Sequence, residues 1–179
     1  MSELEKLYEY LLSLNIKDYE KKIFEIIPEL KNEEGFDQKN EWHCFDVWDH
    51  TLATINCCDR NKEDRLVLLL HDIGKPFSYQ DDGDIRHFKN HALVSSKISE
   101  PILKRLKVSK EKRKYMIKFI EMHSTKIDIN MINIDNLSFY LNLLKIQKCD
   151  ADGYEKTHSL IIKKQLDELE VKIKNKYKK

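Results

Sequence analysis

The segment RLVLLLHDIGKP, residues 65–76, constrains the fold of this chain more than any other. Its leucines recur at the spacing of one helix face, and a glycine and a proline, which commonly end helices, follow. Although 35% of all residues are charged, this most apolar run leads directly into a histidine and an aspartate, His71 and Asp72. The segment therefore predicts a buried helix over residues 62–72 that carries two polar side chains in its last turn.

The rest of the chain favours a single all-α domain. Only 4 glycines and 3 prolines occur in 179 residues, and leucine, isoleucine, lysine and glutamate dominate. A chain of this length suits one domain with one core. Amphipathic spacing predicts helices over residues 4–14, 17–27, 46–58, 62–72, 91–106, 110–122, 136–150 and 159–177. The segment 78–88, which contains Asp82-Gly83, is expected to be a loop or a small hairpin.

Charge and hydropathy narrow the possible partners. The chain carries 32 Lys and Arg against 31 Asp and Glu, a net charge of +1, so no overall charge attracts it to DNA or to an anionic membrane. No apolar run reaches the roughly 18 to 20 residues that span a bilayer, and the charged start MSELEKLYEY is unlike a secretory signal. We therefore expect a cytoplasmic protein that binds neither membranes nor DNA.

The His71-Asp72 pair suggests a metal site. Adjacent helical side chains point about 100° apart, yet both can reach an ion held off the helix end. Imidazole nitrogen and carboxylate oxygen are suitable ligands for several divalent transition metals. The alternative is a helix end in which the histidine interacts with the helix dipole and the aspartate is solvated. Further ligand types on other predicted helices favour the metal site, because they can converge in a bundle core. They are His50, His91, His123 and Asp150.

Four segments carry a family resemblance, in the order WHCFDVWDHTL, RLVLLLHDIGKP, DGDIRHFKNHALVSS and LLKIQKCDAD. They resemble the HD-domain superfamily of metal-dependent phosphohydrolases, and more closely the HD domain attached to bacterial CCA-adding tRNA nucleotidyltransferases. The resemblance implies one HD-type helical bundle over residues 1–179, with N-terminal helices over 1–39, an HD core over 40–155 and a C-terminal helix over 156–179. Because few residues precede the similarity, we expect a stand-alone hydrolase module and no CCA addition.

The resemblance also implies a set of metal ligands. His50, His71, Asp72 and Asp150 match the ligands of the first metal in the superfamily. His91 and His123 match the histidines of the second site, with Asp72 as the bridge and a catalytic residue. The expected cofactor is one or two divalent transition metal ions: Fe, Mn, Ni, Zn or Co.

The chain departs from the family pattern near both second-site histidines. It reads Asn-His-Ala at 90–92 where close relatives usually read Gly-His-Glu, and His-Ser at 123–124 where they often read His-Asp. The number of ions, one or two, therefore stays open. Asp152 competes with Asp150 as the last ligand, because residues two apart on a helix face different directions. The register of LLKIQKCDAD favours Asp150.

Three further residues are candidates for contacting substrate. Lys75, which follows the His-Asp pair, would be catalytic if its ammonium held a phosphate oxygen; otherwise it caps its helix. His43 matches a recurrent histidine of the family and is expected to contact substrate or support a ligand, unless it is structural. Arg86, in the loop before His91, is a candidate cation for phosphate binding.

The expected activity is hydrolysis of a phosphomonoester or phosphodiester. The expected partner is a small-molecule nucleotide or an RNA terminus such as a 2′,3′-cyclic phosphate. Two alternatives use the same ligands: a di-iron oxygenase, and a non-catalytic, metal-stabilised module that binds RNA or a protein.

Overall fold

A computed structural model describes residues 1–177 as eight α-helices and one small antiparallel sheet. The helices are α1 (Glu3–Leu11), α2 (Glu20–Ile26), α3 (Val47–Cys57), α4 (Lys62–Leu70), α5 (His91–Arg105), α6 (Lys110–Met122), α7 (Leu137–Ala151) and α8 (Lys156–Tyr177). Short 3-10 helices cover Ile16–Tyr19, Pro28–Asn32, Lys75–Phe77 and Ile129–Met131. The all-α prediction is confirmed, and the last two residues of the predicted C-terminal helix lie outside the described residues.

The segment 78–88, for which a loop or a small hairpin was expected, contains a hairpin of two short strands. β1 (Gln80–Asp82) pairs with β2 (Ile85–His87), with Asp82 opposite Ile85. Gly83, in the connecting turn, has a φ of +61°, which glycine adopts without the strain that a Cβ would bring.

Helix α4 is the centre of the bundle. It packs against α1, α3, α6 and α7, and Leu66, Leu68, Leu69 and Leu70 are all fully buried. A helical segment that is buried on every side needs apolar residues all round, which explains the uninterrupted apolar run at 66–70. The predicted buried helix is therefore present.

The end of α4 differs from the sequence-based expectation. The helix ends at Leu70, so that His71 is its C-cap residue and Asp72 lies in the following turn. The turn packs directly on α5, where Gly74 N donates to Ser95 Oγ at 2.9 Å. A Cβ at Gly74 would lie 2.4 Å from the backbone nitrogen of Ser95, so this close approach requires glycine.

The segment before α3, residues 33–46, lies along the start of that helix. Asp46 caps α3, as its carboxylate accepts from Asp49 N at 2.7 Å, while its second oxygen accepts from Gly35 N at 2.8 Å. Trp48 N donates to Glu33 O at 3.3 Å. These bonds hold the segment in place beside the end of α4.

The length and hydropathy of the helices bear on whether any of them could span a membrane. Within residues 1–177, none of the helices combines the length and the apolar composition that crossing a lipid bilayer would take.

Candidate metal centre

Four buried side chains converge between α3, the end of α4 and α7. His50 Nε2 lies 3.0 Å from Asp150 Oδ1 and 3.4 Å from Asp72 Oδ2. His71 Nε2 lies 3.3 Å and 3.2 Å from the same two oxygens. One ligand atom from each residue falls within 4.8 Å of the others. We call these four residues the first group.

A second group shares Asp72 with the first. Asp72 Oδ1 lies 3.5 Å from His91 Nε2 and 3.5 Å from His123 Nε2, and these two nitrogens are 3.1 Å apart. Asp72 therefore directs Oδ2 towards the first group and Oδ1 towards the second. This is the arrangement of a carboxylate that can bridge two ions.

The histidines of both groups are oriented by backbone carbonyls. His71, His91 and His123 each place Nδ1 within 2.6 to 2.8 Å of the carbonyl three residues earlier. His50 Nδ1 lies 2.9 Å from Gly153 O. Because a carbonyl only accepts, Nδ1 of each ring carries a proton, and Nε2, which is directed into the site, is the atom that would bind an ion.

The donor atoms fit a divalent cation. Among residues 1–177, both oxygens of Asp72 are buried without a directed hydrogen bond, although Lys75 Nζ lies 2.7 Å from Oδ2. Buried carboxylate oxygens without hydrogen bonds are costly, and so are the facing nitrogens of His91 and His123. A cation on each side of Asp72 would satisfy these atoms with the nitrogen and oxygen ligands that transition metals accept.

The electrostatics of the cluster favour positive charge at its centre. Burial raises the pKa of Asp72, but the charges of His71 and Lys75 outweigh it and hold the pKa well below its usual range. Burial also raises the pKa of Asp150, and hydrogen bonds from His50 and His71 bring it well below normal. Burial lowers the pKa of His91 to about 4. Both carboxylates are therefore ionised at neutral pH, and His91 is a neutral ligand.

A cavity of about 410 Å³ opens from both groups to the surface. Its inner end exposes Asp72, Lys75, His91, His123 and Asp150. Its outer end is bounded by the 124–126 loop, by α7 and by α8. The volume lies within the range typical of pockets for small molecules.

Lys75 lies at the inner end of this cavity and is 4% exposed. Its Nζ donates to Gln38 Oε1 at 2.7 Å and sits 5.3 Å from the centre of the Phe88 ring. The side chain therefore points towards the cluster and does not cap its helix.

His43 also lines the cavity, with its ring 4.6 Å from Tyr154 and 5.4 Å from His50. Burial lowers the pKa of His43 to about 3, so the ring is neutral at physiological pH. Its Nδ1 is buried without a hydrogen-bond partner among residues 1–177.

Arg86 lies outside the cavity. Its guanidinium pairs with Asp81 across the hairpin, with Nε 2.6 Å from Oδ1. It also donates to Asp37 O at 2.6 Å. Arg86 therefore links the hairpin to the segment before α3, and it does not line the cavity.

The structure shows which of Asp150 and Asp152 belongs to the first group. Asp150 faces His50 and His71, whereas Asp152 is the C-cap residue of α7 and pairs with Lys163. The side chain that the sequence register favoured is the one in the first group.

Sequence reasoning missed Gln38, Tyr154 and Gly153. Gln38 and Tyr154 touch the site through contacts between distant segments, for which no periodic pattern exists. Gly153 had a signal, since it is one of only four glycines and lies three residues after Asp150. A Cβ at Gly153 would lie 2.2 Å from His50 Nδ1, so only glycine allows this backbone so near the ring.

Comparison with known proteins agrees with this geometry. The chain is 29% identical over 108 residues to the A-adding tRNA nucleotidyltransferase of Deinococcus radiodurans, a match that covers 56% of this chain and 25% of that protein. The chain thus spans about a quarter of that relative's length. The HD domain family, whose members are generally metal-dependent hydrolases, matches residues 43–172, which include both groups. The chain therefore belongs to the HD domain family.

Proposed function

We propose that this protein is a metal-dependent phosphohydrolase that cleaves a phosphomonoester or phosphodiester of a nucleotide or an RNA terminus, such as a 2′,3′-cyclic phosphate. One observation carries the proposal: the two oxygens of Asp72 face two histidine groups, and Lys75 lies beside them in the same cavity. Metal ligands and a cation at one end of a pocket are the parts that phosphoester hydrolysis needs.

Each group would hold one ion. His50, His71, Asp72 and Asp150 would hold the first, and Asp72, His91 and His123 the second. When bound, a divalent ion lowers the pKa of a water ligand to about 7 and places positive charge next to the phosphate. The chain needs no nucleophilic side chain of its own for this reaction.

Lys75 would bind a non-bridging phosphate oxygen. An ammonium has three donors, and its one directed hydrogen bond among residues 1–177 goes to Gln38. The ammonium also lies 2.7 Å from Asp72 Oδ2, which leaves one donor available at the inner end of the cavity. There, largely shielded from water, the positive charge would stabilise the negative charge that builds up as the phosphorus is attacked.

His43 and Tyr154 would bind the uncharged part of the ester. The nearby carboxylate of Asp150, together with burial, raises the pKa of Tyr154 well above its usual value, so its phenol keeps its proton. His43 is neutral because burial lowers its pKa to about 3. Neutral groups can hydrogen-bond sugar or ester oxygens next to the carboxylates without adding charge.

The outer end of the cavity supports a nucleotide-sized substrate. Ile162 and Leu166 of α8 supply an apolar wall, and Thr125, Lys126 and Gln147 add polar groups to the lining. An apolar surface with a few polar groups suits a base and a ribose better than it suits a bare phosphate.

The test is hydrolysis by the purified protein of a panel of phosphoesters with added Mn²⁺, Fe²⁺, Ni²⁺, Co²⁺ or Zn²⁺. The panel includes 2′,3′-cyclic nucleotides, 3′- and 5′-nucleotides, and RNA with a cyclic phosphate terminus. Hydrolysis of a nucleotide or RNA-terminus ester supports the proposal. Binding without turnover would favour a non-catalytic module, and oxygen uptake by iron-loaded protein without phosphate release would favour an oxygenase.

Metal analysis of two variants tests the ligand assignment separately. Asp72→Ala should remove essentially all bound metal, because Asp72 serves both groups. His123→Ala should leave about one ion per chain, since it removes a ligand of the second group alone. Mass-spectrometric elemental analysis of both variants beside the natural chain measures this. Equal metal content in Asp72→Ala and the natural chain would refute the assignment.

A further inference from the structure

We propose that Gln38 is the positioning residue of Lys75 and that it aims the lysine ammonium at the substrate phosphate. The inference rests on the proposed function and adds a residue to it. Gln38 precedes the range 43–172 that matches the HD domain family. Gln38 would therefore supply a part of the site from outside the matched range.

The contact between the two side chains is short and shielded from water. Lys75 Nζ donates to Gln38 Oε1 at 2.7 Å, and the two residues are 4% and 0% exposed. Nζ is equally near Asp72 Oδ2, at 2.7 Å, but that oxygen accepts no directed hydrogen bond. Asp72 therefore attracts the ammonium as an ion pair, while Gln38 is its hydrogen-bond acceptor among residues 1–177 and orients it.

The orientation of the Gln38 amide follows from its other contact. Nε2 donates to Phe45 O at 3.2 Å. A carbonyl can only accept and an ammonium can only donate, so the amide nitrogen must face Phe45 and the amide oxygen must face Lys75. Both ends of the amide are satisfied in this orientation alone.

Arg86 braces the backbone on both sides of Gln38. Its Nη1 donates to Asp37 O at 2.6 Å, and its backbone N donates to Lys39 O at 3.2 Å. Its guanidinium lies over the rings of Phe36 and Tyr79, 4.7 and 4.5 Å from their centres. The hairpin therefore holds the short stretch that carries Gln38.

A neutral acceptor is suited to this task. The ammonium is already paired with the carboxylate of Asp72, 2.7 Å away, and a second carboxylate in place of the amide would outweigh its charge and repel a phosphate. Asp72 already directs both oxygens towards the two histidine groups. Gln38 can orient Lys75 without placing a second negative charge beside it.

A double-mutant cycle on phosphate binding tests the inference. Gln38→Met, Lys75→Met and the double variant are prepared metal-loaded, and their Kd for inorganic phosphate is measured by calorimetry. Gln38→Met should weaken binding about tenfold in the natural chain, or about 1.4 kcal/mol. In the Lys75→Met background the same change should alter Kd by less than about twofold, because a residue that acts through Lys75 has nothing left to orient. Equal losses in both backgrounds would overturn the proposal.

Two controls separate positioning from loss of structure. Metal content of Gln38→Met should equal that of the natural chain, because Gln38 is not a ligand. Thr54→Val removes a buried hydroxyl that donates to Thr51 O at 2.8 Å, away from the cavity, and should leave phosphate affinity unchanged. If Gln38→Met does not fold, Gln38→Asn replaces it in the cycle, since it shortens the side chain and keeps the amide; the same criterion then decides.

The cycle distinguishes this inference from the proposed function. If the natural chain hydrolyses no phosphoester, the proposed function fails, and the coupling measured on phosphate binding still decides the role of Gln38. If it hydrolyses a phosphoester and the two losses are additive, only the role of Gln38 is refuted.

Discussion

Two histidines of the candidate metal centre also end the helices that carry them. His71 is the C-cap residue of α4 and His123 that of α6, and each ring donates from Nδ1 to the carbonyl three residues earlier. Carbonyls in the last turn of a helix have no partner within the helix. One side chain therefore satisfies a helix end with one nitrogen and presents the other to the site.

Gly153 permits the position of His50, and a Cβ there should disturb it. Because that Cβ would lie 2.2 Å from His50 Nδ1, Gly153→Ala must displace either the ring or the backbone. We expect the variant to lose most of the metal of the first group, measured by elemental analysis. Gly83→Ala is the control: it strains a left-handed turn in the hairpin, remote from both groups, and should retain full metal content. Full metal content in Gly153→Ala would contradict the assigned role.

Glu33 should make stability depend on pH. Burial, followed by the charge of Asp72, raises its pKa well above the ordinary value. The folded state then binds a proton that the unfolded state releases above about pH 4.3, so stability falls as pH rises from there towards the raised pKa. Glu33→Gln removes this loss, and its stability relative to the natural chain should increase with pH, by at most about 1.4 kcal/mol per pH unit.

Denaturant unfolding of Glu33→Gln and of the natural chain between pH 5 and pH 8 measures this difference. Glu34→Gln, the same change at the exposed neighbouring position, is the matched control. A stability difference for Glu33→Gln that stays constant over this range would contradict a buried, protonated carboxyl.

The convergence of the residues in the two groups was predictable because each has a recognisable type and position. His71 and Asp72 follow an apolar helix, and the register of α7 favoured Asp150 over Asp152. Gln38 was not predictable, since its partner Lys75 is 37 residues away and a loop glutamine is ordinary in any sequence. Its contact arises from how segment 33–46 folds back on α3, which no local pattern encodes.

At the scale of elements, α8 is both a packing helix and a wall of the cavity. It packs against α7, and Ile162 and Leu166 face the outer end of the cavity. Amphipathic spacing predicted a start at residue 159, whereas the helix begins at Lys156, where the C-terminal helix implied by the family resemblance also begins. The first turn was missed because it is polar and carries no apolar repeat.

A polar substitution in this wall should weaken substrate binding without loss of metal. Ile162→Asn is expected to raise KM for a nucleotide substrate several-fold, because a buried base or ribose would lose apolar contact, of the order of 1 kcal/mol. Leu160→Asn is the matched control on the same helix, since Leu160 is 61% exposed and lies outside this cavity. Steady-state kinetics measures KM, and equal values for both variants would refute the role of the wall.

At the scale of the whole molecule, the all-α architecture followed from the sequence, while its assembly did not. Periodic apolar residues predict each helix, and the uninterrupted apolar run at 66–70 of α4 predicts a segment that is buried on every side. The contacts of residues 33–46 and of the hairpin depend on polar bonds between distant segments. Arg86 illustrates the difference: its sequence position suggested a phosphate-binding cation, and its three-dimensional neighbours are Asp81 and the backbone of segment 33–46.

The orientation of the histidines determines which parts of the chain must come together to form the candidate metal centre. His71, His91 and His123 take their direction from carbonyls three residues away, so each is aimed locally. His50 takes its direction from Gly153 O, 103 residues further along the chain. The first group is therefore complete only when the turn after α7 has docked on α3. An ion bound there would hold the turn after α7 against α3, and loss of the ion would report that these two parts of the chain had separated.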